Sequence, residues 1–315
     1  MFINSITPSK AFFRPGETIE FLLDISSDRA EDVYLDLVIR HLDEKLFCSR
    51  KHVVLKGSRQ LETLHWQAPA DKAGYFALVN LVDGHGVCQA SGNTAFDVLE
   101  KWTDYPRYGF MTDFSRNRLD AEKTLSGLVR FHINGLQFYD WQYRHDELLA
   151  PATDYIDPLG REMSLDTISS LVSTAAGLGM ASTAYLAVYA ASARYWREHP
   201  ESALYDETGK VIPFGEDFLG LMNPAPGSPW REHLLQECAK LLEAIPFSGL
   251  QIDQYGEPRQ VWDAQGKPVD LPAAFLQFIK AARTAHPEKT LIFNAVSNWP
   301  IETLAAAPLD LVYIE

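Results

Sequence analysis

The chain has 315 residues, 46% of them hydrophobic and 22% charged, which suits one large globular domain plus a smaller one and is too apolar for a disordered chain. A formal net charge of −14 excludes a nucleic-acid partner held by its backbone, which needs a basic footprint to displace counterions, and favours neutral sugars or small molecules. Cys48, Cys88 and Cys238 have no C-x-x-C spacing, so neither a zinc cluster nor a disulfide framework is indicated, although a Cys48–Cys88 bridge stays open.

No apolar run reaches the roughly 18 residues of a membrane span, so no membrane partner is expected. Met1-Phe-Ile-Asn also lacks the basic start of a signal peptide, so the chain as written is expected to be cytoplasmic, or secreted if a leader has been removed.

Residues 1–100 carry short alternating runs, Thr18 to Ile25, Val33 to Arg40 and Tyr75 to Val82, punctuated by Pro15-Gly16, Asp71 to Gly74 and Asp83-Gly84. Alternation of this kind predicts half-buried strands, and their spacing predicts an immunoglobulin-like β-sandwich with no catalytic role. A linker is expected at 101–107.

From 108 to 315 the rhythm becomes strand, loop, helix. Strands are predicted at 108–114, 135–141, 181–189, 249–255, 290–297 and 309–315, with helices at 120–131, 164–178, 228–245 and 271–286. Alternating elements imply a parallel sheet. An eight-stranded barrel needs two more strands than these, and the dinucleotide-binding alternative lacks a Gly-rich phosphate turn after its first strand. The expectation is therefore an incomplete (β/α)8 TIM-type barrel of about six strands, C-terminally truncated, with no cofactor.

Active sites of such barrels lie at the carboxyl ends of strands. Those ends carry Asp113; Tyr139, Asp140, Trp141 and Gln142; Tyr185 and Tyr189; Asp253 and Tyr255; Asn294, Asn298 and Trp299; and Glu315. Aromatic faces beside carboxylates and amides are what a sugar needs, because its ring faces stack and its hydroxyls want directional partners. Two carboxyls about 5 to 5.5 Å apart can run a retaining glycosidase, one attacking the anomeric carbon and the other protonating the leaving oxygen. His132 and His145 have no matching ligand cluster and read as satisfied structural histidines. Glu257 reads equally as a neighbour that tunes Asp253 or as a solvated loop acid. A metal-dependent hydrolase built on Asp113, Asp140 and Asp253 is a third reading, without His-rich spacing to support it.

Tyr108-Gly-Phe-Met-Thr-Asp-Phe-Ser115 and His132-Ile-Asn-Gly-Leu-Gln-Phe-Tyr-Asp-Trp-Gln-Tyr-Arg-His145 resemble the start of the catalytic barrel of glycoside hydrolase family 66, the dextranases and cycloisomaltooligosaccharide glucanotransferases. The resemblance continues through Tyr185 to Ala190, Met222-Asn223-Pro224, Gln251 to Gly256, Phe293 to Val296 and Val312 to Glu315. It implies a retaining mechanism on α-1,6-glucan or isomaltooligosaccharide, with Asp253 as nucleophile and Glu315 as acid/base. It also implies substrate contacts from Tyr139, Asp140, Trp141, Tyr185, Tyr189, Asn223, Tyr255 and Asn294. Hydrolysis of the endo-dextranase type is the first expectation; transglucosylation and a non-catalytic glucan-binding fragment are the alternatives.

Overall fold

A computed structural model describes residues 1–118 and 120–315. They form two compact units, one of Met1–Tyr108, Glu122–Gly135 and Thr174–Ala181, the other of Gly109–Ala121, Leu136–Ser173 and Ser182–Glu315. No helix among the described residues is long and apolar enough to cross a membrane.

The first unit is β-rich. Its strands β1 (Phe2–Pro8), β2 (Thr18–Ser26), β3 (Ala30–His41), β4 (Glu44–Lys56), β5 (Arg59–Gln67), β6 (Ala73–Asp83) and β7 (Cys88–Val98) make two antiparallel sheets, ordered β1-β2-β5 and β4-β3-β6-β7. The period-2 pattern decides what is inside: Ile19, Phe21, Leu23 and Ile25 of β2 share one core with Val33, Leu35, Leu37 and Ile39 of β3 and Ala77, Val79 and Leu81 of β6. Cys48 and Cys88 are free and exposed. They sit on β4 and β7, opposite edges of one sheet, and three strand spacings of about 4.8 Å put them beyond disulfide reach. Within 101–107, Trp102 is buried and its ring stacks on Tyr108.

One turn recurs through the chain. In Asp83 to Val87, Asp157 to Arg161, Asp206 to Lys210 and Asp263 to Lys267, the aspartate side chain accepts the backbone N–H groups two and four residues on. The fourth residue is a glycine at positive φ each time, Gly86, Gly160, Gly209 and Gly266. Asp-x-x-Gly is thus a hairpin signature with a mechanism: the carboxylate satisfies the turn amides and only glycine takes the left-handed position without strain.

The second unit is built on a six-stranded sheet whose spatial order follows chain order: β8 (Tyr108–Met111), β9 (Gly135–Phe138), β12 (Ala181–Ala187), β16 (Gly249–Asp253), β17 (Thr290–Ala295) and β18 (Leu311–Ile314). The pairs β12–β16, β16–β17 and β17–β18 are parallel. Helices α1 (Ala121–Arg130), α2 (Leu165–Gly177), α3 (Ala193–Glu198), α4 (Pro229–Ala244), α5 (Leu271–Ala285) and α6 (Ile301–Leu304) lie between the strands in sequence. α4 buries Leu234, Cys238 and Leu241 on one stripe, as its spacing predicts; Ser228 holds the cap position but its hydroxyl makes no capping bond. Phe110 of β8 and Tyr313 of β18 meet edge to face at 6.4 Å, so the sheet curls until side chains of its two outer strands touch. Two smaller sheets were not anticipated: the hairpin β10 (Asp154–Ile156)–β11 (Glu162–Ser164), and β13 (Ala190–Ser192) with β14 (Pro213–Phe214) and β15 (Leu219–Leu221). In sequence the first lies between β9 and α2 and the second between β12 and α4, in connections of the kind where barrels carry function.

Candidate active site

Alternate residues of a strand face one side, and this parity assembles the site. Phe110, Gln137, Tyr139, Tyr185, Gln251, Asp253, Asn294, Tyr313 and Glu315 line a cavity of about 240 Å³. A cavity of about 300 Å³ shares Tyr139, Tyr185, Asp253 and Glu315 with it and is further walled by Asp140, Tyr189, Phe214 and Tyr255. The two acids read from the strand exits therefore stand at the junction of two cavities.

Asn294 holds them together. Its Nδ2 donates to Asp253 Oδ1 at 2.8 Å and to Glu315 Oε2 at 2.6 Å, using both amide hydrogens. The two carboxylate oxygens can be no farther apart than the sum of those contacts, which falls within the roughly 5.5 Å limit of a retaining pair. Asp253 Oδ2 accepts the Tyr185 hydroxyl at 2.9 Å, and Oδ1 also accepts the Gln254 backbone N–H at 2.9 Å. Burial pushes the Asp253 carboxyl up to about 6, against the pull of the Asn294, Tyr185 and Gln254 donors, and the charge of Glu315 adds to the rise. Removing one donor tips that balance further. Tyr185→Phe should raise the Asp253 pKa by about one unit, read by NMR titration of the carboxyl carbon; an unchanged value would mean the hydroxyl does not stabilise the anion.

Around the pair, burial raises the phenols of Tyr185, Tyr189 and Tyr255 well above the ordinary range, so all three are neutral hydroxyls. Tyr139 packs edge-on against Tyr185 at 5.0 Å, and Tyr189 against Tyr255 at 5.3 Å. Among the described residues neither the Tyr255 hydroxyl nor the Asn294 side-chain oxygen has a hydrogen-bond partner, and both are buried.

Asp140 sits at φ 49, a left-handed conformation that aspartate tolerates better than most residues. Burial raises its pKa and Arg161 opposes that rise. Arg161 Nη2 donates to the Asp140 carbonyl at 3.0 Å and lies 3.7 Å from its carboxylate. The arginine is fixed in turn by Asp157, whose Oδ2 accepts its Nε at 2.7 Å, so the Asp-x-x-Gly turn of the β10–β11 hairpin delivers a cation to the site.

Two expected contacts lie elsewhere. Trp141 is wholly buried and its Nε1 donates to the Tyr185 carbonyl at 3.1 Å, because the left-handed step at Asp140 breaks the strand parity and turns the indole into the core. It braces Tyr185 from behind and does not line the cavities. Asn223 lines a separate cavity of about 640 Å³ with Glu201 and Ser228, and its side-chain oxygen accepts the Ala225 N–H at 3.0 Å. Glu257 pairs with Arg259 at 2.8 Å, away from Asp253. Asp113 accepts the Ser115 N–H at 3.0 Å and lines neither cavity. Gln137, Gln251 and Arg161 were missed. The two glutamines carried a signal, polar residues inside strands that are otherwise apolar; Arg161 carried only its turn motif.

The sequence profile of glycosyl hydrolase family 66 matches residues 8–315. Two cycloisomaltooligosaccharide glucanotransferases of Niallia circulans are 28% and 25% identical over 100% and 99% of this chain, each across 35% of its own length. A dextranase of Streptococcus salivarius is 25% identical over 78% of this chain and 33% of its own. The chain thus spans about a third of the length of these curated relatives. A solved cycloisomaltooligosaccharide glucanotransferase of Paenibacillus sp., complexed with cycloisomaltoheptaose, has the same fold, with a TM-score of 0.89 at 24% identity over 99% of this chain and 48% of that one. With the family profile running along nearly the whole sequence, the chain belongs to glycosyl hydrolase family 66.

Proposed function

We propose that the protein acts on α-1,6-glucan or isomaltooligosaccharides by a retaining mechanism. The observation that carries this reading is the Asn294 amide spanning Asp253 and Glu315. Asp253 attacks the anomeric carbon as Glu315 protonates the departing glycosidic oxygen. The C–O bond to the leaving sugar breaks, and a glycosyl ester forms on Asp253. Glu315 then takes a proton from the incoming hydroxyl as it displaces the ester. Tyr139, Asp140, Tyr185, Tyr189, Tyr255 and Asn294 supply the ring faces and polar partners of the sugar. In this reading residues 1–100 are an immunoglobulin-like accessory domain and residues 108–315 are part of a (β/α)8 catalytic barrel.

Water as the second acceptor gives a dextranase, and a sugar hydroxyl gives a transglucosylase. That both glucanotransferase relatives align over essentially the whole chain favours the sugar hydroxyl as acceptor. Incubation with dextran followed by mass and reducing-end analysis separates the two. Linear reducing isomaltooligosaccharides mark hydrolysis; products one water lighter with no reducing end mark cyclisation. Dextran binding with neither product would replace both with a glucan-binding role.

A further inference from the structure

His145 and Gln142 line the larger carboxylate cavity, yet nothing above gives them a task. His145 was expected to be a satisfied structural histidine, and it is not. Its Nδ1 is buried with no hydrogen-bond partner, and so is Oε1 of Gln142. The two side chains are 7% and 2% exposed, so neither orphaned atom is satisfied by bulk solvent. Among the described residues these two atoms have no partner, which costs about 1 to 3 kcal/mol each, and both belong to residues that line the cavity.

We propose that His145 and Gln142 form a pair that reads secondary ring hydroxyls of the bound glucosyl unit, one at each end of the pair, and so help set specificity. The proposal rests on the sugar-binding reading of this cavity. The bond between the two side chains fixes their free edges: Gln142 Nε2 donates to His145 Nε2 at 3.3 Å, which leaves Nδ1 carrying the imidazole proton and the glutamine oxygen as an acceptor. The two nitrogens of an imidazole point to opposite sides of the ring, so the donor and the acceptor lie at opposite ends of the pair and each takes a sugar hydroxyl of its own, which can accept at one end and donate at the other. The opposite amide orientation exchanges the roles on both atoms and keeps the match. Burial holds the imidazole neutral, its pKa lowered to about 4 despite the charges of Asp146 and Asp157, so one nitrogen always donates and the other accepts at neutral pH. Phe218 packs edge-on to the ring at 6.0 Å and fixes its plane.

The test is calorimetric titration of the protein with isomaltotriose and with a panel of isomaltotrioses each lacking one secondary hydroxyl. The native protein should bind at least one member of the panel about 10- to 100-fold more weakly than isomaltotriose, as expected when a buried donor or acceptor loses its partner. His145→Phe keeps the ring packing and removes both nitrogens; Gln142→Met removes the amide from the other side, so one foldable variant suffices. Each should bind isomaltotriose more weakly by the factor of the hydroxyl it meets and show no further loss on the sugar that lacks that hydroxyl. Discrimination persisting unchanged in either folded variant overturns the pair, as does a native protein indifferent to every deletion, which would leave only water against these atoms. Dextran left unprocessed while the discrimination is present sinks the catalytic reading and spares this one. A native protein that binds none of the sugars sinks both.

Discussion

Asp253→Asn should abolish processing of dextran, by about 10⁴-fold or more, while leaving the fold intact and raising its melting temperature at pH 7. The substitution is nearly isosteric. An asparagine oxygen in the Oδ1 position still accepts from Asn294 and from the Gln254 N–H, and the Tyr185 hydroxyl can turn from donor to acceptor. What disappears is the proposed nucleophile and the cost of its charge. The folded pKa of about 6 lies above the ordinary 3.8, so the folded state holds this proton more tightly than the unfolded chain. Stability therefore falls as pH rises from about 4 to 6 and stays lowered above it, by roughly 3 kcal/mol, a figure that already includes the pull of the hydrogen-bond donors. Melting curves should accordingly separate the variant from the native protein at pH 7 and superimpose at pH 3. Glu315→Gln should lose about 10² to 10⁴ on dextran and much less on an aryl glucoside whose leaving group needs no proton. Equal losses on both substrates would take the acid role away from Glu315, and residual dextran processing by Asp253→Asn near the native rate would take the nucleophile role from Asp253.

The site was legible where chemistry coincides with a strand exit and obscure where it depends on side-chain parity or on a turn. Asp253 and Glu315 each end an apolar run, so their shared neighbourhood follows from a parallel sheet alone. Tyr139, Tyr185 and Asn294 lie near such ends and face the same side as the acids. Trp141 has the right composition and the wrong orientation, because a single left-handed residue, Asp140, reverses the alternation that the sequence invites one to continue. Gln137 and Gln251 sit one alternation below the exits, inside otherwise apolar strands, and line the cavity. Arg161 comes from a hairpin too short for any periodicity to announce. The same limit applies to the fold: long alternating runs gave the β-rich first unit and the strand-helix rhythm gave the parallel sheet, whereas strands of two or three residues, such as β14, have no pattern long enough to recognise.

Gly249 and Gly127 look alike in sequence and should respond oppositely to alanine. Gly249 opens β16, the strand that ends in Asp253, and is paired in parallel register with Thr290 of β17 and Thr183 of β12. A Cβ there would lie 1.9 Å from the Thr290 carbonyl oxygen and 2.6 Å from its carbon. Those are backbone atoms held by the ladder, so no rotamer change can relieve the clash; the two strands must part. Asp253 is four residues along, about 13 Å at strand rise, and its bond to Asn294 crosses the same pair of strands. Gly249→Ala should therefore cost about 3 kcal/mol or more and weaken the alignment of the two carboxylates as well. Gly127 lies inside α1 with no described atom within 4 Å of where a Cβ would sit, so Gly127→Ala should stabilise by about 0.5 to 1 kcal/mol through lost freedom of the unfolded chain. Urea denaturation of the two variants checks both signs. If Gly249→Ala unfolds within about 0.5 kcal/mol of the native protein, the register that sets Gly249 against Thr290 is wrong. Because Asp253 and Asn294 are placed by the same ladder, their approach would then have to be explained without it.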